Sequence, residues 1–249
     1  MGINVKVNGI DLAKLVDWKN GIVKKLTGGI AQLLKANKVE IIKGNAKFEN
    51  ANTISVKAET GMLKITAKNI VIATGSRPVQ IPGFEVDGKN IISSTEALDL
   101  KNPPAHLVVI GGGYIGLELG TYLSKVGSKV TVLEGTNKLL ATMDQDCVQV
   151  VARGLKKRGV EVILDAKAKA WKKTNNGIEV TYEVAGKSQT ITCTTVLSTV
   201  GRRPNSDEIE LSKTGISLDS RGFISVDKQQ RTKIPGIFAI GDVAGGMLL

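Results

Sequence analysis

Residues 107–116 read Leu-Val-Val-Ile-Gly-Gly-Gly-Tyr-Ile-Gly, an apolar run that leads into a glycine-rich turn. Glycines 111, 113 and 116 have the spacing G-x-G-x-x-G, which binds a dinucleotide pyrophosphate where a strand turns into a helix. In that geometry Gly111 permits the tight turn, Gly113 lets a phosphate approach the backbone, and Gly116 allows the helix to pack closely on the strand. The helix start adds N–H groups and the positive end of a dipole. The stretch therefore predicts a dinucleotide-binding turn, against the alternative of a purely structural glycine turn.

The sequence around this turn supports the prediction. A helix-compatible run follows Gly116, and a second apolar strand, Val-Thr-Val-Leu at 130–133, ends at Glu134, 18 residues after Gly116. A carboxylate at that position can accept hydrogen bonds from the ribose hydroxyls and would repel a 2′-phosphate. NAD is therefore favoured over NADP, although Lys138 four residues later is a weak argument for the phosphate. The candidate turn residues are Gly111, Gly112, Gly113, Tyr114, Ile115 and Gly116.

Hydrophobic periodicity predicts an α/β chain. Apolar residues at three- and four-residue spacing indicate an amphipathic helix over 11–36, with Gly28-Gly29 as a weak point. Further helices are expected over 111–126 and 144–158, the second with Asp144 as N-cap and Gly159 just beyond its end. Residues 166–193 look like an antiparallel excursion. Other strands are predicted at 39–42, 47–48, 53–57, 62–66, 69–73, 107–110, 129–134, 160–164, 196–199, 223–226 and 237–240.

Composition is that of a globular chain with one large or two modest domains. Of the 249 residues, 42% are hydrophobic and 23% are charged, and the longest apolar run is far shorter than the ~20 residues of a membrane span. The formal net charge of +11 leaves nucleic-acid binding as an alternative. The basic residues are scattered and no recognition motif accompanies them, so a lysine-rich solvated surface is favoured. No membrane or nucleic-acid partner is expected.

Redox and metal chemistry have few candidate side chains. The two cysteines, Cys147 and Cys193, are not part of a paired motif, which fits a reducing compartment. The one histidine, His106, precedes the strand at 107 and is expected to be a surface linker residue. Too few ligands remain for a zinc site, and we predict no metal site and no catalytic residue in the chain.

Two weaker motifs repeat the pattern of an apolar strand that ends in a polar, glycine-containing turn. Residues 70–75 read Ile-Val-Ile-Ala-Thr-Gly, and residues 237–242 read Ile-Phe-Ala-Ile-Gly-Asp. A carboxylate such as Asp242 at a strand end could accept a hydrogen bond from a sugar or ribityl hydroxyl. Either motif alone is common turn chemistry.

In this order and spacing the motifs resemble the flavoprotein disulfide reductases with two dinucleotide-binding domains, and within them most closely the dihydrolipoyl dehydrogenase group. Gly-Arg-Arg-Pro-Asn at 201–205 and Thr-Lys-Ile-Pro-Gly at 232–236 add to the likeness, which spans almost the whole chain. The resemblance implies an α/β fold: a Rossmann-like, three-layer NAD-binding domain, with a parallel sheet and an antiparallel excursion, inserted in an incomplete FAD-binding domain. The expected bounds are 1–91 for the FAD part, 92–219 for the NAD domain and 220–249 for the return segment.

The resemblance also implies roles for single residues. Toward NAD, Gly111, Gly113 and Gly116 would hold the pyrophosphate and Glu134 the adenosine ribose. Glu118 would lie near the nicotinamide, Ala168 near the adenine, and Gly201 would contact NAD through its backbone. Toward FAD, the implied residues are Thr74, Gly75 and Ser76 beside the flavin, Asp242 on the ribityl chain, and Ala46 near the adenine.

The family passes electrons from dihydrolipoamide through a redox disulfide and FAD to NAD. The chain lacks the family's CxxxxC pair, its catalytic histidine and a second glycine fingerprint, so we expect a central fragment that supplies the NAD site. A NAD-binding module without redox activity, and a mercuric or glutathione reductase-like enzyme, remain alternatives. The resemblance implies homodimers and an acyltransferase complex carrying dihydrolipoamide as partner. Because no targeting signal is recognised, we expect a cytoplasmic location, or the mitochondrial matrix if the protein is eukaryotic.

Overall fold

A computed structural model describes Gly2, residues 9–246 and Leu248. Both helices and strands are present, as expected for an α/β chain. The helices are α1 (Leu12–Ala36), α2 (Ser94–Ala97), α3 (Tyr114–Lys125) and α4 (Gln145–Lys157). The strands are β1 (Gly44–Asn50), β2 (Thr53–Ala58), β3 (Gly61–Thr66), β4 (Ile70–Ile72), β5 (Ser76–Pro78), β6 (Ile91–Ile92), β7 (His106–Ile110), β8 (Lys129–Leu133), β9 (Glu161–Ile163), β10 (Lys167–Thr174), β11 (Gly177–Val184), β12 (Lys187–Cys193), β13 (Thr195–Ser198), β14 (Arg202–Pro204) and β15 (Ile237–Ala239). Short 3-10 turns cover Leu211–Lys213 and Gly241–Ala244.

The chain divides into two compact units. The first combines the described chain up to Gly29 with Val79–Gly201, and the second combines Ile30–Pro78 with the described chain from Arg202 onward. In chain order, the long segment of the first unit interrupts the second. The units divide the chain near residues 78 and 201, whereas the domain bounds expected from the sequence lie near 91 and 219. Those domain bounds stay a prediction.

The first unit is built on a parallel sheet whose strand order is β6-β13-β7-β8-β9. The order reverses at β7, the first strand of the βαβ unit, which pairs with β8 on one side and β13 on the other. Ligands of open α/β sheets bind at such a switch point, beyond the carboxyl ends of the strands.

Alternate residues of β7 face two different cores, which gives the first unit three layers. Leu107 and Val109 pack with apolar residues of α3 and α4, such as Leu123 and Leu155. Val108 and Ile110 pack with the antiparallel sheet β10-β11-β12. Because both faces are covered, β7 is apolar throughout, as parallel strands usually are. The predicted Rossmann-like three-layer arrangement, including the antiparallel excursion, is confirmed.

The second unit contains the antiparallel sheet β1-β2-β3, the pair β5–β14 and the parallel pair β4–β15. In the parallel pair, Ile70 lies opposite Ile237 and Ile72 opposite Ala239. All four side chains are buried in one core with Phe48. The two weaker sequence motifs thus lie on neighbouring strands that run in the same direction.

The structure corrects several predicted elements. Residues 39–42 and 223–226 form no strand, although Ile224 makes an isolated bridge with Leu218. His106 is the first residue of β7 rather than a linker residue. Its Nε2 lies 3.0 Å from Oγ1 of the buried Thr131 on the next strand.

Helix α1 forms without a break at Gly28-Gly29, as its periodicity predicts, but its apolar stripe is largely exposed. Leu12 and Val16 are its buried residues, whereas Trp18 is 66% exposed and Leu33 is 65% exposed. The hydrophobic periodicity therefore predicted the position of the helix, but it did not predict whether other parts of the protein bury its apolar face. In the part of the chain that the structure describes, no helix is both long and apolar enough to cross a membrane.

Candidate dinucleotide site

Two positions in the turn between β7 and α3 must be glycine because of the protein's own backbone conformation and packing. Gly111 has φ +108°, and a Cβ there would lie 2.6 Å from the Thr199 carbonyl oxygen. A Cβ on Gly116 would collide with the Gly111 carbonyl and approach Thr199 Oγ1 to 2.5 Å and Val109 Cγ1 to 2.9 Å. Both glycines therefore serve the tight turn and the close approach of helix to strand.

Gly113 differs from these two glycines. It is the N-cap of α3, with extended backbone at φ −78° and ψ 174°, and a Cβ there would meet nothing within 4 Å. Neither strain nor packing within the protein calls for glycine at this position. The space beside Gly113 lies at the start of a helix, where backbone N–H groups have no intrahelical acceptor. A dinucleotide pyrophosphate fits this space because it brings anionic oxygens to those donors.

Glu134 lies directly beyond β8 and is held against the same turn. Its Oε2 accepts a 2.6 Å hydrogen bond from the Gly112 amide, and its Oε1 accepts 2.8 Å and 2.7 Å bonds from the amide and hydroxyl of Thr136. A Cβ on Gly112 would lie 3.0 Å from Oε2 and 2.5 Å from Leu139 Cδ2. The central glycine of the triplet therefore makes room for this carboxylate.

The other candidate residues of the first unit lie around the edge formed by the carboxyl ends of the parallel strands, and they differ in burial. Tyr114, Ile115 and Glu118 lie on the first turns of α3, with Ile115 half-buried and Glu118 exposed. Ala168 lies on β10, two residues after Ala166, whose amide donates a 2.8 Å bond to the Glu134 carbonyl. Gly201 follows β13 with φ +132° and open space around it.

Sequence reasoning missed two threonines at this edge. The hydroxyl of Thr199, just beyond β13, donates to the Ile110 carbonyl at 3.1 Å. The Thr199 carbonyl oxygen lies against the Cβ position of Gly111, and its hydroxyl lies against that of Gly116. Thr136 donates twice to Glu134. Thr136 could have been suspected because it lies two residues after the carboxylate, whereas the role of Thr199 depends on strand order and has no local signal.

In the second unit, Ser76 and Asp242 lie at the ends of the two weaker motifs and are in contact. Ser76 Oγ donates a short hydrogen bond to Asp242 Oδ2, and Arg202 Nε donates to Ser76 Oγ at 2.6 Å and lies 3.6 Å from Asp242 Oδ2. Arg202 also donates to the Ser76 carbonyl at 2.7 Å. Arg202 belongs to the Gly-Arg-Arg-Pro-Asn stretch at 201–205, but it was not among the site residues predicted from the sequence. A carboxylate has further acceptor positions, so Asp242 can accept a sugar or ribityl hydroxyl as well.

The neighbouring candidates hold the same turn of the second unit. Thr74 Oγ1 donates to the Asn205 carbonyl at 2.7 Å, and the Asn205 side chain donates to the Thr74 carbonyl at 2.9 Å. Gly75 has φ +69°, which favours glycine. Ala46 lies elsewhere in the second unit, exposed on β1.

The cysteines and the histidine lie in different places. Cys147 is exposed on α4, while Cys193 is buried at the end of β12, and neither forms a disulfide. Burial raises the pKa of the Cys193 thiol to about 11, which keeps it protonated near neutral pH and unreactive. Burial also lowers the pKa of His106, and the nearby charge of Lys129 adds to this effect.

A groove of about 440 Å³ lies beside this edge, between α4 and β9. It is lined by residues including Lys138, Leu139, Val148 and Gln149. None of the candidate residues predicted from the sequence lines it. The turn at Gly111–Gly116 therefore does not line the groove, although the lining residue Leu139 lies against the Cβ position of Gly112.

Known proteins resemble the chain over its full length. It is 49% identical over 249 residues to dihydrolipoyl dehydrogenase from Geobacillus stearothermophilus, covering 100% of this chain and 53% of that protein. It is 45% identical to the protein of that name from Bacillus subtilis, covering 99% of this chain and 52% of that protein. The chain therefore spans about half the length of these curated relatives.

Solved structures also resemble the chain in fold. LpdA from Mycobacterium tuberculosis superposes with a TM-score of 0.89 at 27% identity, covering 100% of this chain and 54% of that one. The HOCl-induced flavoprotein disulfide reductase RclA from Escherichia coli gives a TM-score of 0.85 at 31% identity, covering 96% and 54%. The family model of pyridine nucleotide-disulphide oxidoreductases matches residues 4–249. By its sequence, its fold and the glycine turn that opens α3, the chain belongs to the pyridine nucleotide-disulphide oxidoreductase family.

Proposed function

We propose that the first unit binds NAD at the turn between β7 and α3. The observation that carries the proposal is the open space at Gly113, which nothing in the protein explains, beside a carboxylate held at the end of the next strand. A pyrophosphate would accept hydrogen bonds from backbone amides at the start of α3, because the Gly111 and Gly112 amides already donate to the Leu133 carbonyl and to Glu134. Glu134 would accept from the adenosine ribose. The negative charge of Glu134 disfavours the 2′-phosphate of NADP.

The remaining candidates extend the same binding mode. Ala168 lies near the adenine in this proposal, because β10 follows directly on the segment bonded to Glu134. Gly201 offers its backbone, and Glu118 lies toward the nicotinamide. The chain's own residues thereby bind and orient the dinucleotide, while the nicotinamide, when bound, supplies hydride chemistry.

For the second unit we propose a part of an FAD site. Asp242 would accept from a ribityl hydroxyl, with Ser76 and Arg202 holding its carboxylate. Thr74 and Gly75 would lie beside the flavin, and Ala46 near the FAD adenine. In this proposal the NAD domain, 92–219, is inserted between FAD-binding segments 1–91 and 220–249.

The whole-protein activity we propose is that of a dihydrolipoyl dehydrogenase, in which electrons from dihydrolipoamide reach NAD through a redox disulfide and FAD. The support is the identity to dihydrolipoyl dehydrogenases over this entire chain. Within such an enzyme, this chain supplies the NAD site. The partner would be an acyltransferase complex that carries dihydrolipoamide, and the active form a homodimer. Two free, unpaired thiols favour the cytoplasm.

Calorimetric titration of the purified 249-residue chain with NAD and with NADP tests the NAD proposal. We expect measurable NAD binding and at least about tenfold weaker NADP binding, since a repulsion of about 1.4 kcal/mol between the half-buried Glu134 and a 2′-phosphate corresponds to a tenfold change in affinity. Equal affinity would contradict the role given to Glu134. A folded chain that binds neither nucleotide would overturn the proposed function.

A further inference from the structure

Glu134 is held by more protein donors than ribose binding by itself requires. Its Oε2 is bonded to the Gly112 amide at 2.6 Å, and its Oε1 to both the amide and the hydroxyl of Thr136. A carboxylate oxygen accepts about two hydrogen bonds well. Oε1 is therefore saturated by Thr136 before a ribose arrives, and one of its bonds must be released for a ribose hydroxyl to donate there.

The Thr136 hydroxyl has a second acceptor within reach. Its Oγ1 lies 2.7 Å from Glu134 Oε1 and 3.0 Å from the carbonyl oxygen of Lys138. A threonine hydroxyl carries a single proton, so it donates to one of these two oxygens at a time. Turning the proton to Lys138 frees a position on Oε1 and leaves the hydroxyl still bonded.

The backbone around Thr136 is fixed, so this change needs only a rotation of the hydroxyl. The Thr136 carbonyl accepts a 2.9 Å bond from the Asp165 amide. The Glu134 amide donates to the Ile163 carbonyl at 2.9 Å. The amide of Thr136 continues to hold Oε1 in either state of the hydroxyl.

We propose that Thr136 is a positioning residue that holds the Glu134 carboxylate toward the ribose of NAD and yields one acceptor position on Oε1 to a ribose hydroxyl by turning its own hydroxyl to the Lys138 carbonyl. This inference rests on the proposed NAD site. It assigns to Thr136 a part of the preference for NAD over NADP, because the preference depends on where the Glu134 charge is held.

The test uses isosteric and conservative variants of the whole chain. Thr136→Val keeps the shape and the amide but removes the hydroxyl, and Thr136→Ser keeps both donors. We expect T136V to weaken NAD binding about 3- to 10-fold, because the Glu134 carboxylate loses the hydroxyl that orients it in the free protein and must be ordered when the ribose binds. T136S should retain near wild-type affinity. Because NADP gains little from Glu134, its affinity should change less than about twofold. Thr142→Val, at an exposed threonine whose side chain makes no bond to Glu134 in the described chain, is the matched control.

A double-mutant cycle with Glu134→Ala separates this role from general loss of structure. The T136V effect on NAD affinity should vanish in the E134A background, and all variants should melt within about 3 °C of wild type. Unchanged or tighter NAD binding by T136V would overturn the role of Thr136, as would an equal effect in both backgrounds. Failure of the wild-type chain to bind NAD would overturn the proposed function, and this inference with it.

Discussion

The Gly112 amide donates a 2.6 Å hydrogen bond to Oε2 of Glu134, which joins the glycine turn after β7 to the end of β8. The two halves of the dinucleotide motif, 22 residues apart, are therefore in direct contact. The contact fixes the carboxylate beside the space at Gly113. Glu134 is thus preorganised, so less ordering is left to be done when a dinucleotide binds.

Gly113→Val should abolish NAD binding without unfolding the chain. Its backbone is extended and its Cβ position is empty, so valine is tolerated in the protein but fills the space proposed for the pyrophosphate. We expect at least about a 100-fold loss of affinity with at most about 1 kcal/mol change in unfolding free energy. Gly116→Ala is the contrasting variant, since its Cβ would collide with backbone and lower stability by about 1–3 kcal/mol. Calorimetry and urea denaturation measure the two effects, and unaltered NAD affinity in G113V would refute this placement of the phosphates.

Glu134→Arg should shift the nucleotide preference toward NADP. The variant removes the acceptor for the ribose hydroxyls and places a cation where a 2′-phosphate would lie. We expect NAD affinity to fall about tenfold or more and the NAD-to-NADP ratio of affinities to invert. Glu59→Arg, in an exposed turn of the second unit, makes the same change in net charge and should leave the ratio unaltered. An unchanged preference in E134R would show that Glu134 does not contact the ribose.

Arg202→Ala should destabilise the second unit. The side chain is 20% exposed and makes hydrogen bonds to the hydroxyl and carbonyl of Ser76, which lies opposite Pro204 in the β5–β14 pair. Loss of these charged bonds should lower the unfolding free energy by about 1–2 kcal/mol in urea denaturation. Arg203→Ala, at a side chain 60% exposed and paired with Asp207, should change it by less than about 1 kcal/mol. Equal effects of the two variants would argue against a specific role for Arg202.

The ion pair of Asp207 should make stability depend on pH in the acid range. A side-chain hydrogen bond from Arg77, aided by the charges of Arg77 and Arg203, lowers the pKa of Asp207 from its ordinary value of 3.8, although partial burial opposes the shift. A depressed carboxyl pKa contributes stability that is present above 3.8 and lost as the pH falls through the folded-state pKa. We expect the difference in unfolding free energy between wild type and Asp207→Asn to be constant near neutral pH and to shrink below about pH 4. A difference that persists undiminished at pH 2 would contradict this source of stability.

Local sequence patterns predicted the features that depend on neighbouring residues. The strand–turn–helix at 107–116 and the strand ending at Glu134 were predicted because apolar runs and glycine spacing are local signals. The helix at Leu12–Ala36 was predicted for the same reason. The strand expected at 39–42 was wrong, since β-branched residues there, such as Val39 and Ile41, are exposed and have no partner strand in the described chain. Residues with high β-propensity form a strand only where a neighbouring strand pairs with them.

The supporting residues could not be predicted, because their roles depend on contacts distant in sequence. Thr199 contacts the glycine turn only because β13 lies next to β7 in the sheet. Arg202 reaches Ser76 only through the antiparallel pairing of β14 with β5. The roles of Ser76 and Asp242 toward FAD came from the family resemblance, and the contact between their side chains came from the structure.

Amide chemical shifts of the isotope-labelled chain during titration with NAD test the central claim most directly. We predict that the largest changes occur at the amides of residues 111–116, Gly113 among them, and at Thr136, whose amide donates to Glu134. In G113V, the same titration should leave those signals in place. Shifts confined to other parts of the chain, or none at 111–116 at saturating NAD, would show that the glycine turn is not where the dinucleotide binds.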